Sequence, residues 1–190
     1  MEISLNSFIS ALIGGSLAVL ASYLSHKWNR DKEKENEVKL IANLVRSIHD
    51  EIDTLWNQYN NKIGSQIELL EPNQPFNFYW AISQDYFTIY TRNAHLISKI
   101  DDGTLRRQIV STYSRSRGLI DSYQLNNNLV HKYEQAYLLF QQTNNPIHKH
   151  QADSKLQILT SYADSLKQTH FEVKESVELL LSTINKKIKN

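Results

Sequence analysis

Cysteine is absent from the 190-residue chain, and this absence excludes both disulfide bridges and metal sites built on thiolates. Glycine and proline are scarce as well, with five and three residues, which argues against a β-rich fold because its turns depend on them. The formal net charge is only +1 at pH 7, so no overall basicity draws the chain to nucleic acid. Together these shortages predict an all-α protein, and the lack of cysteine suits a reducing cytoplasm.

Charge is missing from one long stretch near the start of the chain. Residues 5–24 read LNSFISALIGGSLAVLASYL, without a single formal charge. A helix of this length can cross the hydrocarbon core of a bilayer, so we predict a transmembrane anchor over residues 1–28 and a helical domain over residues 29–190. A cleaved signal peptide is the competing interpretation, but it would carry a basic segment where this chain has Glu2.

The charges that flank this apolar stretch predict its orientation. Positive residues close to a span stay on the cytoplasmic side, and here they all follow the span: Lys27, Arg30, Lys32 and Lys34. We therefore expect a single-pass protein of the cell membrane, with its N-terminus outside and its C-terminal domain in the cytoplasm.

One face of the predicted anchor carries only small residues. At about 100° per residue, a ribbon of small side chains runs along the helix: Ser10, Ala11, Gly14, Gly15, Ala18 and Ser22. Small residues let two helix backbones approach closely, so this face predicts a homo-oligomer or pairing with a membrane partner. Two alternatives stay open, since small residues are common in membrane spans and a serine-lined face can also border a pore.

Four antiparallel helices, one of them short, are predicted after the anchor. Apolar residues recur in steps of three and four over residues 32–71, with a slip in the rhythm at Lys62. Pro72 and Pro75 end this helix. A short helix over residues 84–100, capped by Ser83, is expected next.

The second half of the chain predicts the two remaining helices. One covers residues 104–142, capped by Asp102, with a kink or a close approach to a neighbour near Gly118. A loop over residues 143–151 should lead to the last helix, in which four heptads contain His170 as a hydrogen-bonded core residue.

Two groups of residues are candidates for a ligand or partner surface. The aromatic segment after the prolines contains Tyr79, Trp80 and Tyr86, which predict either a ligand pocket or the packed end of the bundle. Arg106 and Arg107 open the third helix and suit an anionic ligand or a lipid headgroup, although exposed arginines are ordinary on a long helix.

No catalytic motif is present in the sequence. The arginine–histidine spacing of helical nucleases is not met at Arg46 and His49, and His148 and His150 lack the further ligands that a metal site needs. Glu51 and its acidic neighbours are expected on a solvated surface. The sequence therefore predicts no enzyme, no cofactor and no bound metal.

The blocks SQDYFTIYTRNAHLISKIDD and LRRQIVSTYSRSRGLIDSYQLNN resemble an uncharacterised group of small bacterial inner-membrane proteins. Those proteins have one N-terminal transmembrane helix and an all-helical cytoplasmic domain. The resemblance covers residues 83–128 and, more loosely, the anchor. It implies a bacterial source and this topology, but it brings no activity, substrate or site residue, and genes of this style often lie beside phage-defence genes.

These observations favour a membrane-anchored interaction, scaffold or sensor protein without catalytic activity, whose partners are the bilayer and an unidentified cytosolic protein. The alternative is a membrane-perturbing effector associated with phage defence, whose anchors oligomerise after the helical domain senses a signal.

Overall fold

The structure is a computed structural model that describes residues 5–82 and 86–189, without the side chains of residues 5–14, 16, 18 and 189. All regular elements in this part of the chain are helices, so the predicted all-α class is confirmed. The chain forms two compact units, Met1–Leu44 and Val45–Asn190. Seven helical elements are present among the described residues: α1 (Leu5–Tyr59), a π-helix (Asn60–Gly64), α2 (Ser65–Glu68), α3 (Thr88–Arg92), α4 (Ala94–Ile97), α5 (Gly103–Thr143) and α6 (Pro146–Lys189).

The first unit consists of the N-terminal part of α1. Large apolar side chains are exposed on it: Leu17, Val19, Leu20, Tyr23, Leu24 and Trp28. No helix in the described residues is long and apolar enough to cross a membrane, so this result does not support the anchor predicted for residues 5–24.

The small-residue face is described only in part. Ser10, Ala11, Gly14 and Ala18 have side chains outside the described residues, whereas Gly15 and Ser22 are exposed. A Cβ added at Gly15 would meet nothing within 4 Å.

The second unit is built on three long helical segments instead of the predicted four helices. α5 packs along α6, and the end of α1 adds the buried residues Ile48 and Ile52. The apolar heptads of α6 face this core, because Leu159, Leu166, Val173, Val177, Leu180 and Ile184 are all buried. Core formation on a strict heptad stripe explains why these helices were predictable from periodicity.

The connection between α5 and α6 is shorter than the predicted loop. Only Asn144 and Asn145 lie between the helices. Asn144 takes a left-handed conformation, with φ of 48°, and the Asn145 side chain accepts a hydrogen bond from the backbone N–H of Ile147 at 2.9 Å. Pro146 thus begins α6 as its first residue, a position that suits proline. His148 and His150 therefore lie on a helix, and the loop prediction was wrong for residues 146–151.

A π-helix explains the slip that the sequence has at Lys62. The wider turn over Asn60–Gly64 shifts the helical register, so that Tyr59, Ile63 and Ile67, which follow each other in two steps of four residues, are all buried. Helix ends at Glu68, three residues before the predicted end. Glu71 to Gln74 then form a turn, closed by the hydrogen bond from the Gln74 N–H to the Glu71 carbonyl, in which Asn73 has a φ of 61°.

The predicted single helix over residues 84–100 is only partly correct, since the described residues of that range are helical over 88–92 and 94–97 and the helix is broken at Asn93. Two short helices, α3 and α4, replace it, because the Asn93 side chain bonds to the carbonyl of Ile89 at 2.8 Å and its backbone leaves the helical region. Ser83, the predicted cap, lies outside the described residues.

The sequence singled out two positions for α5: Asp102 as its cap and Gly118 as the site of a kink or a close approach. Asp102 caps the helix as predicted, since its carboxylate accepts from the backbone N–H groups of Thr104 and Leu105 at 2.8 and 3.0 Å. At Gly118 the α-helix is unbroken, and the predicted close approach to a neighbour is wrong, because an added Cβ there would meet nothing within 4 Å.

Candidate functional site

An apolar cavity lies between α1, α5, α6 and the aromatic segment. It has a volume of about 80 Å³. Aromatic rings of α1 and of the aromatic segment line the cavity, and aliphatic residues of α5 and α6 complete it. The lining includes Trp56, Tyr59, Trp80, Tyr86, Phe87 and Ile120. Three polar side chains, Gln58, Lys62 and Ser116, also line this cavity, and the first two are solvent-exposed.

The cavity contains two of the three aromatic residues that the sequence singled out. Trp80 and Tyr86 line it, whereas Tyr79 is 71% exposed. Successive side chains of an extended segment point to opposite sides, which is why adjacent Tyr79 and Trp80 differ. The aromatic segment is thus neither wholly core nor wholly pocket, since Phe76 is fully buried.

Two asparagines of α5 hold this segment in place. The Asn127 side chain pairs with the backbone of Trp80 in both directions, accepting from its N–H at 3.1 Å and donating to its carbonyl at 2.7 Å. Asn126 donates to the carbonyl of Phe76 at 3.0 Å. An extended segment without a neighbouring strand must bond its backbone elsewhere, and the polar middle of α5 supplies these bonds.

A buried chain of hydrogen bonds passes through Tyr59, which lines the cavity. The Tyr123 and Tyr59 hydroxyls lie 3.0 Å apart, and the Tyr59 hydroxyl lies 2.6 Å from Nδ1 of His170. On the other side of the ring, Nε2 of His170 lies 3.0 Å from a carboxylate oxygen of Glu68, which also accepts from Lys174 at 2.9 Å. His170 is fully buried, as the sequence predicted.

Burial determines which side chains of this hydrogen-bond chain are charged. It lowers the pKa of His170, although the Glu68 carboxylate opposes the shift. Burial raises the pKa of Tyr59 above its usual range and that of Tyr123 to about 12. The hydrogen bonds from Lys174 and His170 lower the pKa of Glu68. At neutral pH the imidazole and both phenols are therefore uncharged, and the negative charge lies on the partly exposed Glu68 carboxylate beside Lys174.

One direction of donation satisfies every member of the chain. Because ionised Glu68 can only accept, Nε2 of His170 must carry the proton and Nδ1 must accept. The Tyr59 hydroxyl then donates to Nδ1 and accepts from Tyr123. Neutral phenols with raised pKa values are poor nucleophiles, so this arrangement orients Tyr59 and Trp56, which stacks on His170 at 5.7 Å, rather than activating a reacting group.

Glu51 is buried, which corrects the expectation of a solvated acidic surface. It is 8% exposed, and its carboxylate accepts from the backbone N–H groups of Ile89 and Tyr90 at 2.7 and 3.2 Å and from the Tyr113 hydroxyl at 2.6 Å. The carboxylate thus caps α3 from a different helix. Sequence patterns along α1 alone could not reveal this contact, because its partners lie more than 35 residues away.

The predicted arginines belong to a different place from the predicted aromatics. Arg106 and Arg107 line an open groove along α5 and do not line the cavity. Arg106 donates to the carbonyl of Ile100 at 2.6 Å. The sequence-predicted surface is therefore two separate features of the second unit.

Trp56, Tyr59 and Phe87 line the cavity but were not among the predicted site residues. Both Tyr59 and Trp56 lie within the apolar pattern of residues 32–71, and that pattern gives no sign that either ring faces a cavity. The rhythm slip at Lys62 was the available signal, because π-helical turns often accompany functional sites.

No protein-family model, no curated protein and no solved structure matches this chain. The resemblance to small bacterial inner-membrane proteins stays a prediction. Over the part of the chain that the structure describes, no group of three or more histidine, aspartate or glutamate side chains is placed to hold a metal ion.

Proposed function

We propose that this chain is a membrane-anchored sensor of the bacterial inner membrane, non-catalytic, whose cytoplasmic unit binds one small ring in the aromatic cavity. The cavity is the single observation that carries the proposal. Apolar, aromatic walls with a few polar groups are the usual form of a small-molecule site. The oriented chain from Glu68 to Tyr59 supports it further, because it fixes the ring that forms one wall.

The dimensions of the cavity limit what it accepts. An empty apolar cavity of about 150 Å³ takes up benzene, so the cavity of about 80 Å³ suits one small ring that also uses the opening beside Gln58 and Lys62. A hydroxyl on that ring can bond to either of these side chains. A phenol-like group, free or on a larger molecule, is therefore the proposed ligand.

Saturation-transfer NMR with phenol on the full chain in non-ionic detergent tests this proposal. Ser116 lines the cavity, so Ser116→Leu should fill it and abolish transfer to phenol. Ser161 is an exposed residue of α6, and Ser161→Leu adds the same side chain outside the cavity as a control for phenol in the micelle. Equal transfer in the wild type and both variants would contradict the proposal.

The anchor is the second part of the proposal, and it rests on the uncharged stretch and its flanking charges. The exposed apolar side chains of Leu17 and Leu20 are consistent with lipid around this helix. Alkaline carbonate extraction of cell membranes should leave the wild type in the pellet, whereas Leu17→Lys with Leu20→Lys should release it. Release of the wild type would exclude the anchor.

A membrane-perturbing effector is the second candidate, and the segregated small-residue face favours it. Induced expression should then lower the membrane potential, and Gly14→Ile with Ala18→Ile should restore the potential by separating the helices. An unchanged potential on wild-type expression would leave the sensor as the better proposal.

A further inference from the structure

A positively charged groove lies on the N-terminal half of α5, and it is separate from the aromatic cavity. It is an open depression of about 850 Å³ between α5 and the α3–α4 segment. Its polar lining consists of three arginines and three serines: Arg106, Arg107, Arg115, Ser98, Ser111 and Ser114. The lining contains no acidic side chain.

None of the three arginines pairs with a carboxylate in the described residues. Their hydrogen bonds go to neutral oxygens: Arg106 to the carbonyl of Ile100 at 2.6 Å, Arg107 to the Thr104 hydroxyl at 3.4 Å and Arg115 to the carbonyl of Glu172 at 3.2 Å. A guanidinium has five donors, so each retains donors that can face a ligand. The groove is therefore a concentration of uncompensated positive charge in a chain whose net charge is only +1.

Helical register places these groups in a row. Arg107, Ser111 and Arg115 are spaced by four residues and share one face of α5. Their backbones span about 12 Å at 1.5 Å per residue, with Ser111 one helical turn from each arginine. Arg107 and Arg115 also line a smaller depression, whose lining includes one acidic residue, Glu175.

We propose that this groove binds phosphoryl groups, either of a soluble phosphate ester or of an anionic phospholipid headgroup. Arginine bonds to phosphate through two parallel N–H groups, which gives shorter and stronger hydrogen bonds than those between neutral groups. Serine hydroxyls donate to the remaining phosphate oxygens. This site is independent of the aromatic cavity and of the ring proposed to bind there.

Calorimetric titration of the full chain in non-ionic detergent tests the site with two probes. Pyrophosphate represents the soluble ligand, and monomeric dihexanoyl phosphatidylglycerol represents the headgroup. Arg107→Gln with Arg115→Gln should weaken binding by about tenfold for each arginine removed. Arg107→Lys with Arg115→Lys keeps the charge but loses the paired donors, so it should bind more weakly than the wild type and more tightly than the glutamine pair.

The matched control removes the same charge elsewhere on the second unit. Arg46 and Arg92 are exposed and line neither the groove nor the cavity, so Arg46→Gln with Arg92→Gln should change affinity by less than about twofold if binding is local. Circular dichroism should confirm that all variants keep their helix content. Binding of pyrophosphate alone identifies a soluble ligand, and binding of the phospholipid identifies a headgroup.

Absence of binding for both probes, or an equal loss in the control pair, would overturn the proposal. The phenol experiment does not depend on these arginines. A negative result in one experiment therefore leaves the other site untouched.

Discussion

Removal of the Tyr59 hydroxyl should destabilise the second unit more than removal of the Tyr123 hydroxyl, although both are buried phenols. Tyr59 lies in the middle of the buried hydrogen-bond chain, and its hydroxyl is 3.0 Å from the Tyr123 hydroxyl and 2.6 Å from Nδ1 of His170. Tyr59→Phe keeps the ring and its packing. It leaves Nδ1 of His170 without a donor and the Tyr123 hydroxyl without an acceptor.

The magnitude follows from the number of buried groups left unpaired. Each such group costs about 1–3 kcal/mol, so Tyr59→Phe, which leaves two groups unpaired, should lower the free energy of unfolding by about 2–6 kcal/mol. Tyr123→Phe removes one terminal donor while Tyr59 still donates to His170, and it should cost about 1 kcal/mol. In the double variant the unpaired Tyr123 hydroxyl no longer exists. Its cost should therefore fall short of the sum of the single costs by about 1–2 kcal/mol.

Urea unfolding of the full chain in non-ionic detergent, followed by circular dichroism, measures the three free energies of this cycle. The slope of each transition should match the wild type, since the packing of the rings is kept. Additive single costs would refute the shared hydroxyl, and a larger effect of Tyr123→Phe than of Tyr59→Phe would refute the order of donation.

Three further predictions concern single positions in the same unit. Gly64→Ala should lower the unfolding free energy by about 1–3 kcal/mol, because its Cβ would lie 2.6 Å from an amide oxygen, whereas Gly118→Ala should raise it by about 0.5–1 kcal/mol; urea unfolding decides both, and equal signs would contradict the structure. Burial lowers the folded-state pKa of His170 from the ordinary 6.5, so its contribution to stability is fully present above about pH 6.5 and is lost as the pH falls through the folded-state pKa. Thermal unfolding should therefore show a fall in the midpoint on acidification that is smaller in His170→Gln, and identical pH profiles would count against this role. Asn127→Leu should release the backbone of Trp80, cost about 1–3 kcal/mol and reduce saturation transfer to phenol; unchanged transfer would show that the cavity wall does not depend on this amide.

Helices that contact the core through a regular stripe were predictable from the sequence. The heptads of α6 gave its buried face, and Asp102 gave the start of α5 because a cap acts on its own next residues. The range 84–100 was not predictable in this way. Its helices α3 and α4 are short, and α3 is capped by Glu51 of α1, so its structure depends on a residue that is remote in the sequence.

In the candidate site, too, features that depend on neighbouring residues were predictable, whereas features that depend on distant residues were not. Aromatic composition identified Trp80 and Tyr86, which line the cavity. Composition could not separate them from Tyr79, because the direction of each ring depends on the extended backbone that Asn127 pairs with. Arg106 and Arg107 were likewise identified from the local sequence. Whether they have carboxylate partners depends on the tertiary structure and could not be predicted.

The polar residues in the middle of α5 connect these observations. Asparagine is a weak helix former, and Asn126 is fully buried with its amide oxygen unpaired. An apolar residue there would pack without this cost, but it would leave the carbonyl of Phe76 without its donor. The two asparagines therefore stabilise an extended segment at the expense of their own helix. Trp80 on that segment and Tyr59 beside the π-helix both line the cavity and contact each other, with ring centroids 5.4 Å apart. A ligand that enters the cavity must contact rings positioned by α5 and by the π-helix, so binding there should change the stability of both.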